Sequence, residues 1–310
     1  MRVAFLGSDR WSVPSLEALV AGGHDVIAFT RPPKPAGRGN RLTPTPVADA
    51  ARAHGMAVVE PPTVTAGEGM ASLADPRPDV LVVVAYGEIL PPGVLAVPRT
   101  IPVNVHFSLL PELRGAAPVQ HAILRGLPAT GVTTIRMDAG VDTGPILLQA
   151  EEAIDPEDDA GVLGARLAAV GAALLVETLA RLAAGTLEER PQDDAAATLA
   201  PRLSPEDRVL DWSEPAERLW RRVRALAPEP GATARFRGKV LKVLRSRPHA
   251  APPEGPTPPG TVAVVTRDGL AVATGDGLLA LEEVGPEGRA RMSGGEFVSG
   301  YRPQLGEALQ

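Results

Sequence analysis

Val80-Leu81-Val82-Val83-Val84-Ala85 is an unbroken apolar run of six residues, and it restricts the fold more than any other segment. A strand wet on one face alternates polar and apolar side chains, whereas a strand covered on both faces does not. The run is too short for a stable helix and far too short to cross a bilayer. It predicts a central strand of a parallel sheet with helices on both sides. The flanking pattern agrees. Strand patterns fall at 3–7, 25–30, 57–59, 101–106, 131–137 and 145–154, and helical patterns at 13–21, 46–54, 118–126 and 161–184. Pro14 sits in the first turn of its helix, where a missing N–H is tolerated. This alternation implies a doubly wound, Rossmann-like α/β domain. Ligands of such sheets lie beyond the carboxyl ends of the strands.

The pattern changes after 187–205, a stretch of charged residues, prolines and alanines that reads as a linker. One helix at 216–226 precedes short strand patterns at 232–236, 240–246, 260–266, 270–273 and 278–284. Short strands joined by Gly-rich turns predict a small OB-like β-barrel. The segment 248–260, with six prolines and two glycines, reads as a barrel loop or a mobile excursion. The expected plan is a catalytic domain at 1–186, a linker at 187–205 and an OB-like domain at 206–310. A chain of 310 residues suits two domains, and 44% hydrophobic content can fill two cores. There is no cysteine, which removes disulfides, a thiolate nucleophile and Cys-ligated metals. The first residues form a strand pattern rather than a secretory signal, and the apolar runs read as too short for a membrane span. A cytoplasmic protein acting as a monomer, away from membranes, is expected.

The formal net charge of −6 argues against a polyanionic partner only when taken globally. Residues 31–41 carry Arg31, Lys34, Arg38 and Arg41 with no acid, and 216–247 carry ten basic residues against Glu217 and Glu229. Two basic segments on an acidic chain fit a phosphate backbone held at defined places. Ordinary solvated faces would show the same composition.

The chemistry concentrates in Val103-Asn104-Val105-His106-Phe107-Ser108-Leu109-Leu110-Pro111-Glu112-Leu113-Arg114-Gly115. Side chains alternate along a strand, so Asn104 and His106 share a face at the strand's end. An amide can donate to a developing oxyanion, and an imidazole can donate or shuttle a proton. A nearby carboxylate can set the imidazole's tautomer. Asp138-Ala139-Gly140-Val141-Asp142-Thr143-Gly144 offers two carboxylates on a tight loop, and spacing alone does not choose between Asp138 and Asp142.

Asn-Val-His-x-Ser-Leu-Leu-Pro-x-x-Arg-Gly-Ala-Ala-Pro followed by Met-Asp-x-Gly-x-Asp-Thr-Gly resembles the formyltransferases that use 10-formyltetrahydrofolate, and within them the methionyl-tRNA formyltransferases. The likeness extends over nearly the whole chain, through Pro35-Ala36-Gly37-Arg38-Gly39, Asp211-Trp212-Ser213 and Ala273-Thr274-Gly275-Asp276-Gly277. It implies Asn104, His106 and Asp142 as the catalytic set, with no metal. It places the folate co-substrate against Val84, Tyr86, Gly87, Ile89 and Leu90 on one side and Ser108, Leu109, Leu110 and Pro111 on the other. It implies initiator methionyl-tRNA as partner. Arg38 would reach the acceptor stem, with Arg31, Lys34, Arg41, Arg221, Arg222 and Lys239 meeting phosphates. The chain departs from the family pattern at Gly7-Ser8-Asp9-Arg10-Trp11-Ser12, at Glu112 and at Ala227-Pro228-Glu229-Pro230. Transfer to an amino sugar or another small amine, and release of formate from the same folate, are the alternative activities; a non-catalytic RNA-binding protein is the alternative of another class.

Other chemistries lack their motifs. No Gly-x-x-x-x-Gly-Lys-Ser/Thr occurs, the first βα turn lacks Gly-x-Gly-x-x-Gly, and no His-Glu-x-x-His is present. Ser108 follows His106 without the Gly-x-Ser-x-Gly elbow of a serine hydrolase.

Overall fold

The apolar run lies at the centre of a seven-stranded sheet in the computed structural model, which describes residues 1–36, 41–249 and 257–310. The strands are β1 (Arg2–Gly7), β2 (Asp25–Phe29), β3 (Lys34–Ala36), β4 (Arg41–Thr43), β5 (Val58–Val59), β6 (Val80–Val84), β7 (Pro102–His106), β8 (Ala129–Arg136) and β9 (Ile146–Ala153). The helices of the same stretch are α1 (Val13–Ala21), α2 (Pro46–Ala53), α3 (Gly67–Ala74), α4 (Pro92–Leu95), α5 (Pro118–Leu124) and α6 (Ala160–Ala184). The sheet order is β5-β2-β1-β6-β7-β8-β9, and β3 pairs with β4 as a separate hairpin. The strands from β5 to β7 run parallel, while β8 and β9 are antiparallel additions. All five residues of β6 are buried, as expected for a strand between two parallel neighbours. α2 starts where Thr45 accepts from the Ala48 N–H at 3.1 Å, with Pro46 in its first turn. α3, the four-residue α4 and the β3–β4 hairpin have no strong periodic signal and are additions to the sequence reading.

α6 corrects one expectation. It is long and apolar enough, by length and composition, to cross a membrane, and 56% of its most apolar window is buried inside the protein. Leu167, Leu175 and Leu179 are in the core, and Thr178 bonds to Thr134 of β8 at 2.9 Å. Gly171 lets the helix approach the sheet: a Cβ there would lie 2.9 Å from the Val105 side chain.

The chain divides into two compact units. The first comprises Met1–Pro118, Ala129–Ala153 and Gly164–Pro201, and the second Val119–Pro128, Ile154–Leu163 and Arg202–Gln310. The stretch read as a linker is therefore largely part of the first unit. Arg190 exchanges backbone hydrogen bonds with Ile146 at 2.8 and 2.9 Å. The Arg114 N–H donates to the Thr198 carbonyl at 2.8 Å, and the Ala200 N–H to the Arg114 carbonyl at 2.7 Å.

The second unit holds α7 (Ala216–Leu226), β10 (Ala232–Phe236), β11 (Lys239–His249), β12 (Val262–Thr266), β13 (Gly269–Ala273), β14 (Leu278–Pro286), β15 (Met292–Ser293) and α8 (Gly294–Tyr301). The short strands occur where the sequence places them, in the order β10-β11-β14-β13-β12 with β15 on β14. They make an antiparallel sheet around Trp212, Leu219, Val223, Val243 and Phe297. Among the described residues the expected barrel is not closed: β10 and β12 end the sheet and do not pair with each other. The C-terminal tail lies along both edges instead, through single bridges from Leu309 to Phe236 and from Ala308 to Thr261. Bulges in the β11–β14 ladder near Arg245 bend the sheet without joining its ends.

Candidate active site

β7 delivers Asn104 and His106 to one face at its carboxyl end, in register with Ile135 and Thr133 of β8. His106 is buried, and its Nε2 lies 3.0 Å from the Leu113 carbonyl. A carbonyl only accepts, so this ring nitrogen carries the proton and donates. That leaves Nδ1 for chemistry. It faces Asp142 Oδ2 at 3.6 Å.

The two loop carboxylates point in different directions. Asp138 turns back on its own loop, accepting from the Gly140 N–H at 3.0 Å and the Thr143 hydroxyl at 2.6 Å. Asp142 points to β7: Oδ1 accepts from Asn104 Nδ2 at 3.2 Å and Oδ2 from the Gly115 N–H at 2.8 Å. Its backbone has φ +55°, a left-handed conformation that Asp tolerates better than most residues but that still costs about 1 kcal/mol or more. Gly144 makes the loop possible, because a Cβ there would sit 1.8 Å from the Arg136 carbonyl oxygen. Asn104 keeps a second N–H beyond the one given to Asp142.

The loop after β7 is held by its own polar atoms. Ser108 is fully buried and donates to the Glu112 carbonyl at 2.6 Å. Thr133 donates to the Ser108 carbonyl at 2.7 Å and accepts from the Leu110 N–H at 3.1 Å. Gln149 donates to the Leu110 carbonyl at 2.9 Å, and Leu110-Pro111 is a cis peptide. Leu109 is half-buried and meets Gly131 of β8, where a Cβ would come within 2.5 Å of it. Ser108 and Leu110 thus shape this wall from within.

The opposite wall follows β6. Val84 is buried, and its carbonyl accepts from Ser12 at 2.6 Å. Asp9 accepts from the Trp11 N–H at 3.0 Å, and Trp11 packs edge-on against Phe107 at 6.1 Å. The departure at 8–12 is therefore packed on the ends of β6 and β7, through the Val84 carbonyl and the Phe107 ring. Gly87 turns the chain with φ +83°, and Leu90 is buried. Ile89 is 78% exposed and Val141, next to Asp142, 55% exposed. Ile89 follows β6, and Val141 lies in the turn between β8 and β9.

Tyr86 belongs to the core cluster under this wall, and its hydroxyl has no hydrogen-bond partner among the described residues. Burial, reinforced by the Glu88 charge and opposed by Arg31, pushes its phenol up to about 12. A phenol whose pKa is higher folded than unfolded favours the folded state at neutral pH. That stability disappears as pH rises from about 10, where the unfolded phenol ionises, toward 12. Tyr86→Phe is expected to keep neutral-pH stability within about 0.5 kcal/mol, because an unpaired hydroxyl is lost. It should also flatten the alkaline decline, read as urea midpoints between pH 8 and 11. An unchanged decline would assign the alkaline loss to other groups.

The basic residues separate into two kinds. Arg31 donates to Glu88 at 3.3 Å, Arg221 to Glu217 at 3.0 Å and Arg222 to Glu214 at 3.3 Å. Lys34 on β3, Arg41 on β4 and Lys239 on β11 are exposed. Arg38 lies outside the described residues. Much of the basic excess of 216–247 is neutralised in space, since Arg237 pairs with Glu307, Arg245 with Glu282 and Arg247 with Glu157. Glu112 is exposed, and only its carbonyl serves the Ser108 loop. Among the described residues no cluster of three or more His, Asp or Glu has metal-binding geometry.

Sequence reasoning missed Gln192, which lies in the presumed linker. Its side-chain amide donates to the carbonyls of Asp142 and Gly144, behind the carboxylate.

An amide, an imidazole and a carboxylate thus meet at the carboxyl end of a doubly wound sheet, a set of groups able to donate to an oxyanion and to move a proton, as acyl-group transfer requires. Comparison with known proteins narrows that class. Residues 1–179 match the formyl transferase family model, and 202–302 match the model of the formyl transferase C-terminal domain. The chain belongs to the formyl transferase family. The methionyl-tRNA formyltransferase of Solibacter usitatus is 46% identical over 310 residues, covering 100% of this chain and 98% of the relative. That of Halorhodospira halophila is 46% identical over 312 residues, covering 100% and 99%. Among solved structures, HypX from Aquifex aeolicus in complex with tetrahydrofolic acid shares the fold, with a TM-score of 0.68 at 17% identity, covering 97% of this chain and 48% of that one.

Proposed function

We propose that this chain transfers the formyl group of 10-formyltetrahydrofolate to the free amine of methionyl initiator tRNA, for translation initiation. One observation carries the reading. Asn104, His106 and Asp142 form a single cluster in a chain that aligns with methionyl-tRNA formyltransferases along its full length. The formyl carbon is bonded to an aryl nitrogen and is already activated. The acceptor amine attacks it, the carbon–folate nitrogen bond breaks, and one proton passes from the amine to the departing nitrogen. The second N–H of Asn104 is the oxyanion donor. Asp142 and the Nδ1 side of His106 are the acid–base pair beside it. The donor set suits this co-substrate: Ile89 and Val141 supply exposed apolar surface for its rings.

The second unit is read as an opened OB-like fold that holds the tRNA body, with Lys239 at the start of β11. Lys34 and Arg41 flank the loop that carries Arg38, read as the contact to the acceptor stem. A cytoplasmic monomer suits this task.

The test is formyl transfer from 10-formyltetrahydrofolate to charged initiator tRNA, charged elongator methionyl-tRNA and a nucleotide-linked amino sugar. Initiator methionyl-tRNA is expected to exceed the amino sugar by at least about a hundredfold in kcat/KM. Preferential turnover of the small amine would overturn the reading.

A further inference from the structure

We infer that Gln192 is a positioning residue for Asp142, and that the strap 190–200, rather than the 138–144 loop alone, sets where the carboxylate points. Gln192 Nε2 donates to the Asp142 carbonyl at 2.8 Å and the Gly144 carbonyl at 2.7 Å, spanning the turn that carries the carboxylate. Its Oε1 accepts from Arg114 Nε at 3.1 Å and Nη2 at 2.8 Å. A guanidinium only donates, so the amide has one satisfactory orientation: oxygen toward Arg114, nitrogen toward the two carbonyls. Arg114 is buried and is held in turn by Asp194 at 2.7 Å.

The two ends of this relay meet in the same three residues. The Leu113 carbonyl fixes His106, and the Gly115 N–H fixes Asp142. Arg114, between them, grips Gln192. The strap is itself anchored to that segment, because the Leu113 N–H donates to the Thr198 hydroxyl at 2.9 Å. A single frame thus holds the imidazole from one side and the carboxylate from front and back. Asp142 takes a left-handed conformation that Asp does not prefer on its own, so an outside hold on its carbonyl has a defined task.

This inference rests on the proposed formyl transfer for its kinetic readout, but not for its geometric one. Gln192→Glu keeps the size and the acceptor for Arg114, and it replaces the donor to both carbonyls with an oxygen that repels them. The expected result is a kcat lower by about 10- to 100-fold, as for a misplacement near 1 Å, with KM for both substrates within about threefold. In an Asp142→Asn background the same change should cost less than about threefold more, because its effect passes through Asp142. A crystal structure of Gln192→Glu should show Asp142 Oδ2 withdrawn from the Gly115 N–H. Gln192→Ala, which leaves no repulsion, should fall in the same direction, and its thermal midpoint gives the purely structural share. Unchanged kcat in Gln192→Glu, full additivity with Asp142→Asn, or an unmoved Asp142 carboxylate would each overturn the inference. A wild-type protein that fails to formylate methionyl-tRNA, beside a variant whose carboxylate has moved, would instead reject the proposed function and leave the positioning role standing.

Discussion

Asp142→Asn is expected to reduce turnover by about three orders of magnitude while the protein stays folded and binds folate within about threefold of the parent. Both carboxylate oxygens are committed. Oδ1 receives Asn104, and Oδ2 receives the Gly115 N–H while facing His106 Nδ1. An asparagine has one acceptor oxygen and one NH2 group. If its oxygen faces Gly115, its NH2 meets the NH2 of Asn104; if it turns over, its NH2 meets the backbone N–H. Either orientation sets donor against donor and removes the charge beside the imidazole. One unsatisfied donor costs about 1–3 kcal/mol of stability, which a two-unit protein of this size can absorb. The damage should therefore appear in kcat and not in folding. Steady-state kinetics with methionyl-tRNA, beside folate titration of the same preparation, separates the two. A variant within tenfold of the parent in kcat would remove Asp142 from the proton path.

The sequence revealed those parts of the molecule that depend on local pattern. β6 is apolar on both faces because it lies between β1 and β7, and that condition shows directly as a continuous run. Asn104 and His106 share a face by strand parity alone. Asp142 against Asp138 was a different kind of question. Its answer depends on a left-handed backbone at Asp142 and on the approach of Gly144 to the Arg136 carbonyl, and neither can be read from spacing. Gln192 lay further out of reach, 50 residues from the carbonyl that it holds and 78 from its arginine, in a stretch whose composition suggests a solvated connection. Composition misled in the second unit for a related reason. The basic excess of 216–247 counts neighbours along the chain, whereas Glu157, Glu282 and Glu307 come from elsewhere to pair with Arg247, Arg245 and Arg237. Strand existence was legible there from short apolar runs, but closure was not. Whether a sheet's edges meet depends on bulges and on what occupies those edges, here the tail at Ala308 and Leu309.

Asn104→Ala tests the oxyanion assignment most directly. Asn104 gives one N–H to Asp142 and has a second to offer. An oxyanion develops only as the amine attacks, so a donor aimed at it contributes little to binding the ground state. Loss of one such donor lowers kcat by about 100- to 1000-fold, or about 2.7–4 kcal/mol of transition-state stabilisation. KM for 10-formyltetrahydrofolate should stay within about threefold. Asn104→Asp should be worse than Asn104→Ala, because it places a second carboxylate against Asp142 as well as an acceptor where a donor is required. Combining Asn104→Ala with Asp142→Asn should cost far less than the product of the two separate losses, since the residues share a hydrogen bond and act on one transition state. The opposite kinetic pattern, a raised KM with an intact kcat, would move Asn104 from the reacting centre to the folate wall.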